Sequence, residues 1–114
     1  MNIIVCGGRD YDDYEKLISV LDSVHAKVCI TLLIEGGAHG ADAHAGTWAN
    51  HKGVARATIH ANWAYYGKKA GPIRNKTMLT LNPGGLIAFP GGIGTEGMIK
   101  LAVAAGVKVM RVQK

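Results

Sequence analysis

The sequence predicts one α/β domain over residues 1–114: a doubly wound sheet of about five mainly parallel strands, with helices on both faces. Three observations predict it. Short apolar runs alternate with segments whose apolar residues recur at helical spacing, which is how a parallel sheet with crossover helices is written. Glycine-marked breaks separate the two kinds of segment. At 114 residues the chain can bury one core but not two, and it has no repeat or low-complexity linker.

The apolar runs put strands at 2–6, 31–35, 55–60, 85–89 and 107–112. Helices are predicted at 14–24, 41–51, 72–81 and 95–105; Leu17, Val20, Leu21 and Val24 carry the spacing in the first, and Ile99, Ala102 and Val103 in the last. Pro72 after Gly71 suits the opening of the third helix, where its missing N–H is not needed. Gly53 and Gly106 suit the ends of the second and fourth. The longest irregular piece is 61–71, with Trp63, Tyr65 and Tyr66, and loops of that length tend to be functional.

The composition, 48% apolar and 18% charged, is that of an ordinary soluble globular protein. No apolar run approaches the roughly 20 residues of a membrane span, and the chain enters its first strand without a signal-peptide pattern, so a cytoplasmic location is expected. Cys6 and Cys29, both in apolar surroundings, read as buried reduced thiols. A net charge of +5 favours anionic partners. The basic residues are scattered without an aromatic ladder, which makes nucleic acid an improbable partner.

In a doubly wound sheet, ligands collect where strands end and helices begin. Three glycine-rich turns fall at that rim: Cys6-Gly7-Gly8-Arg9-Asp10, Glu35-Gly36-Gly37-Ala38-His39-Gly40-Ala41-Asp42 and Pro90-Gly91-Gly92-Ile93-Gly94-Thr95. A glycine turn leading into a helix exposes unpaired amides at the positive end of the helix dipole, where a phosphate settles. Thr95 adds a hydroxyl or caps the helix. Glycine is also the default residue of tight turns, but three such turns on one rim are hard to explain by folding alone. The chain has neither a P-loop motif nor a G-x-G-x-x-G after its first strand. The expected ligand-binding residues in these turns are Gly7, Gly8, Arg9, Gly37, Ala38, His39, Asp42, Pro90, Gly91, Gly92, Ile93, Gly94 and Thr95, joined by Trp63 of the 61–71 loop and by Arg74 and Asn75 at the helix opening that follows it. Trp63 and Tyr66 either stack on a base or cover the sheet edge. The five histidines fall in no metal-ligand motif, so no metal or cofactor is expected.

These turns, with Ala61-Asn62-Trp63 and Gly71-Pro72-Ile73-Arg74-Asn75-Lys76 followed by Met78, resemble the SLOG superfamily of Rossmann-like domains. That group includes LOG cytokinin-activating phosphoribohydrolases, lysine decarboxylase-like proteins and nucleotide-sensing domains of antiphage systems. The nearest resemblance is to the YspA/YpsA-related proteins, once grouped as a domain of unknown function. It implies a nucleotide-like ligand and assembly as a homo-oligomer.

LOG enzymes carry P-G-G-x-G-T-x-x-E, whose glutamate is catalytic; here that position is Met98. The LOG arginine followed four residues later by methionine is matched by Arg74 and Met78. Glu96 lies two residues from Met98, about 200° around a helix, and is expected on another face. His39 stands where the group usually has arginine, which weakens a phosphate contact. Loss of the acid favours non-catalytic binding of a nucleotide or an ADP-ribose-derived molecule, as signal binding or sequestration, in a chain compatible with phage origin. The alternative is a phosphoribohydrolase or N-glycosidase in which Arg74 acts with Asp10 or Asp42; Glu35 is a further carboxylate at the rim. Asp42 also reads as a helix-start carboxylate and Asp10 as a turn residue. A third reading, a DNA-processing accessory, is tested by a salt-titrated gel shift.

Overall fold

The computed structural model describes residues 1–114. The elements in chain order are β1 (Asn2–Cys6), α1 (Tyr14–Val28), β2 (Leu32–Glu35), α2 (Ala41–Lys52), β3 (Ala55–Thr58), α3 (Trp63–Tyr66), α4 (Ala70–Leu79), β4 (Gly85–Ala88), α5 (Ile93–Ala104) and β5 (Val109–Arg111). A 3-10 turn, Gly67–Lys69, joins α3 to α4. All four strand pairings are parallel, in the order β3-β2-β1-β4-β5.

Parallel strands need crossover helices, which cover both faces of the sheet and make its strands apolar on both sides. β1 shows this directly, because successive side chains of a strand alternate between faces. Ile3 and Val5 pack with Leu17 and Leu21 of α1 and with Ala45, Trp48 and Ala49 of α2. Ile4 and Cys6 pack on the other face with Met78 of α4 and Met98, Ile99 and Ala102 of α5. The predicted fold class is therefore the one observed. No helix is long and apolar enough to cross a membrane.

Helix ends follow local chemistry. Asp13 caps α1 by accepting the Lys16 N–H at 3.2 Å. α1 runs to Val28, beyond the expected end, and stops at Cys29, which takes a left-handed φ of 52°. Cys29 is exposed there, contrary to the buried thiol expected; its apolar neighbours Val28 and Ile30 belong to a helix end and a chain reversal rather than a strand. Gly53 and Gly106 close their helices with φ of 69° and 77°.

The expected loop at 61–71 is instead mostly helical. Asn62 accepts the Tyr65 N–H at 3.1 Å to start α3, and the chain passes through the 3-10 turn into α4. Pro72 is thus the third residue of α4, still within the first turn, where its missing N–H leaves no bond unmade. α5 likewise begins earlier than expected, at Ile93 with Gly92 in the cap position. Thr95 is buried at the third helical position and makes no cap bond.

From β1 the chain winds outward to β2 and β3, then returns on the other side of β1 as β4. That reversal opens a crevice beyond the carboxyl ends of β1 and β4. Its walls are close: a side chain at Gly7 would bring Cβ within 2.6 Å of Ala41 Cβ and 2.9 Å of Phe89 Cβ. Gly40 has φ +72°, and a Cβ there would meet the Arg9 carbonyl oxygen at 2.5 Å. Strain and a backbone clash act together at that position, so Gly40→Ala is expected to lose about 2 to 3 kcal/mol in urea unfolding. A loss below about 0.5 kcal/mol would mean that the loop shifts freely.

Candidate functional site

The crevice is a cavity of about 1050 Å³. It is lined by Gly7, Gly8 and Arg9 after β1, by Gly37, Ala38 and His39 after β2, and by Asp42 at the start of α2. Trp63, Arg74 and Asn75 line it from α3 and α4, and Gly92, Ile93, Gly94 and Thr95 from the start of α5. Pro90, Gly91 and Asp10 do not line it. The Pro90 carbonyl accepts the Gly8 N–H at 2.9 Å, so this stretch of the loop is turned back as a brace between β1 and β4. A Cβ at Gly91 would stand 2.7 Å from the Gly8 nitrogen, the reason for glycine there. Asp10 is exposed in its turn.

The three glycine turns are not equivalent, contrary to the expectation that all leave amides free. After β2 the amides of Gly36, Gly37 and Ala38 are consumed internally. Asp42 Oδ2 accepts from Gly36 at 3.1 Å and Ala38 at 3.3 Å, and Glu35 Oε1 accepts from Gly37 at 2.6 Å. The physical reason is that two carboxylates flank the turn and outcompete any external anion. After β1, Gly8 gives its N–H to Pro90. The β4–α5 turn keeps a consecutive run leading into a helix: the N–H groups of Gly92, Ile93, Gly94 and Thr95 find no acceptor in the chain. A Cβ at Gly92 or Gly94 would meet nothing within 4 Å, so backbone approach is open.

Arg74 crosses the cavity from α4 to the β2 turn. Its Nη1 donates to the Gly36 carbonyl at 2.7 Å and its Nε to Asn75 Oδ1 at 2.9 Å. A Cβ at Gly36 would lie 2.7 Å from the guanidinium carbon, so glycine is what lets the fork rest on the chain. The N–H groups not used in these bonds remain for an anion. Burial pushes the Asp42 carboxyl up to about 6, with Glu35 adding to the rise; its bonds to Ala38 and Gly36 and the Arg74 charge oppose it. Burial likewise pushes the Cys6 thiol up to about 12, which leaves it unreactive at neutral pH.

The sequence profile of the YspA, cpYpsA-related SLOG family matches residues 1–66. The chain is also 32% identical over 116 residues to the Gene 61 protein of Mycobacterium phage D29, covering 95% of this chain and 93% of the phage protein. This chain belongs to the YspA, cpYpsA-related SLOG family. The profile ends at Tyr66, so the α5 turn of this SLOG domain lies beyond the matched residues.

In this SLOG domain Met98, at the LOG glutamate position, is buried and lines the cavity floor. Glu96 pairs in a bidentate bridge with Arg111 of β5, at 3.2 and 2.8 Å, and does not line the cavity. It is therefore turned away as the helical angle predicts. Among the carboxylates only Asp42 lines it.

Sequence reasoning did not single out several other lining residues: Lys68, Lys76, Lys100, His60 and Gly71. Lys68 and Lys100 belong to no motif, and Lys76 stands at the end of the Gly71-to-Lys76 motif without a signal of its own; the course of α4 and α5 brings Lys76 and Lys100 to the cavity. Gly71 carries a weak signal beside Pro72; a Cβ there would sit 3.2 Å from the Trp63 ring, which lies across it. Trp63 keeps half its surface exposed.

The Asp42 titration gives a further expected outcome. An acid whose folded pKa is raised favours the protonated folded form. Its contribution is full below the ordinary value near 3.8, declines as pH rises, and is gone above about 6. Relative to Asp42→Asn, the native protein should lose roughly 2 to 3 kcal/mol between pH 4 and pH 7. Thermal melts of both proteins across that range check it, and parallel curves would show that the buried charge is not what titrates.

Proposed function

We propose that this SLOG domain binds a nucleotide or an ADP-ribose-derived small molecule without turning it over. A phosphate sits on the amides of Gly92 to Thr95, Arg74 closes over it, and Trp63 stacks on the base. The observation that carries this reading is the free amide set of the β4–α5 turn facing a cavity that Arg74 crosses. Met98 in place of the LOG glutamate supports binding over cleavage, since an oxocarbenium-like transition state calls for a nearby carboxylate. On this reading the domain holds or sequesters a signal molecule. Assembly into a dimer or larger belongs to the proposal; Val103 of α5 and Met110 of β5 are apolar and exposed.

One observation favours a second reading. Asp42 lines the cavity with a carboxyl raised to about 6, a value suited to a proton-transferring acid, so it is the group through which an N-glycosidase would work. Incubation with a panel of nucleoside 5′-phosphates and ADP-ribose separates the two. Intact ligand recovered from denatured protein supports binding alone. Release of free base and ribose phosphate overturns it.

A further inference from the structure

Charge is unevenly shared between the cavity and the rest of the chain. Of the thirteen lysines and arginines, Arg9, Lys68, Arg74, Lys76 and Lys100 line it, against one of the eight acidic residues. That single acid, Asp42, spends one oxygen on two backbone amides. None of the five cations forms an ion pair; the pairs in the molecule are Lys52 with Asp22, Arg56 with Glu35 and Arg111 with Glu96. Most of the net charge of +5 is therefore carried around this one hollow, with Asp42 as its single acidic counter-charge.

The cations are also spread along the cavity. α4 and α5 both begin at the carboxyl rim and pack side by side. Lys76 lies six residues into α4 from Ala70, and Lys100 seven residues into α5 from Ile93. At the helical rise these are about 9 and 10 Å along the two axes, at matching depth below the rim. Between them and the rim, Gly97 leaves the α5 surface bare, a Cβ there meeting nothing within 4 Å. A cavity of about 1050 Å³ is at the large end for a small-molecule site, and more than a single phosphate at the rim would occupy.

We infer that the ligand carries two phosphate groups held apart, one at the α5 start with Arg74 and the second between Lys76 and Lys100. The class is a nucleotide phosphorylated at two separated positions. This rests on the binding reading above and names the ligand class it requires.

The test is calorimetric titration at fixed low salt with adenosine 5′-monophosphate, adenosine 3′,5′-bisphosphate and ADP, whose two phosphates are adjacent. The bisphosphate is expected to bind at least about tenfold tighter than the monophosphate and tighter than ADP. The double variant Lys76→Ala with Lys100→Ala is expected to remove that gain while leaving monophosphate affinity within about twofold. Equal binding of bisphosphate and monophosphate overturns this inference alone, as does a double variant that weakens both alike, which marks diffuse attraction. Binding of none of the three, with ADP-ribose titrated alongside and also failing to bind, overturns it together with the proposed function. Circular dichroism of the double variant guards against misfolding; Lys76→Gln and Lys100→Gln serve if the alanine pair fails to fold.

Discussion

Replacing Glu35 with alanine is expected to destabilise the domain by about 3 to 5 kcal/mol. Glu35 is wholly buried at the end of β2, and its carboxylate holds three groups from three places in the chain. Oε1 accepts the Gly37 N–H at 2.6 Å; Oε2 accepts from Arg56 Nε at 3.0 Å and from the Thr58 hydroxyl. Arg56 and Thr58 belong to β3, the edge strand, so one carboxylate ties the outermost strand to the turn that supports Arg74. Removal strands a guanidinium, a hydroxyl and an amide, each of which loses its partner without regaining water in full. Glu35→Gln keeps an acceptor and the volume, and is expected to fall between. Urea unfolding measures both. A loss under about 1 kcal/mol for the alanine variant would mean that the three donors find water readily.

Gly92→Val is expected to weaken nucleotide binding by at least about a hundredfold while leaving the fold in place. The backbone at Gly92 has a negative φ, and its Cβ direction is open, so valine meets no clash. Its branched side chain would instead stand where the anion must approach the four free amides. Arg74→Ala is expected to act on the same step, with added disorder of the β2 turn because the Gly36 carbonyl loses its donor. Calorimetry with the tightest-binding nucleotide checks both, alongside melts. Unchanged affinity in a folded Gly92→Val protein would remove the α5 turn from the site.

Much of the frame was legible because parallel strands buried on both faces are written as continuous apolar runs, and β1 and β4 are such runs. The rim was legible because glycine is needed where chains pass within contact distance, as at Gly7 against Phe89 and at Gly40 against Arg9. What was not legible depended on side chains meeting across the fold. Nothing local says that Asp42 and Glu35 consume the amides of their own turn, because that requires the turn to fold back over them. The helical character of 63–71 was hidden by Gly67 and Gly71, residues that read as loop until Trp63 is seen lying across Gly71. Pro90 and Gly91 sit in the same motif as Gly92, yet the Gly8 hydrogen bond turns them into a brace. The placement of Lys76 and Lys100 follows only from the register of two helices.

Anion binding is assigned to four amides, and amide resonances report on it residue by residue. Titration of the ¹⁵N-labelled protein with adenosine 5′-monophosphate or its bisphosphate should move the signals of Gly92, Ile93, Gly94 and Thr95 most, with the Arg74 side-chain Nε following. If those signals stay fixed while others shift, the anion is held elsewhere and the α5 turn is only a turn.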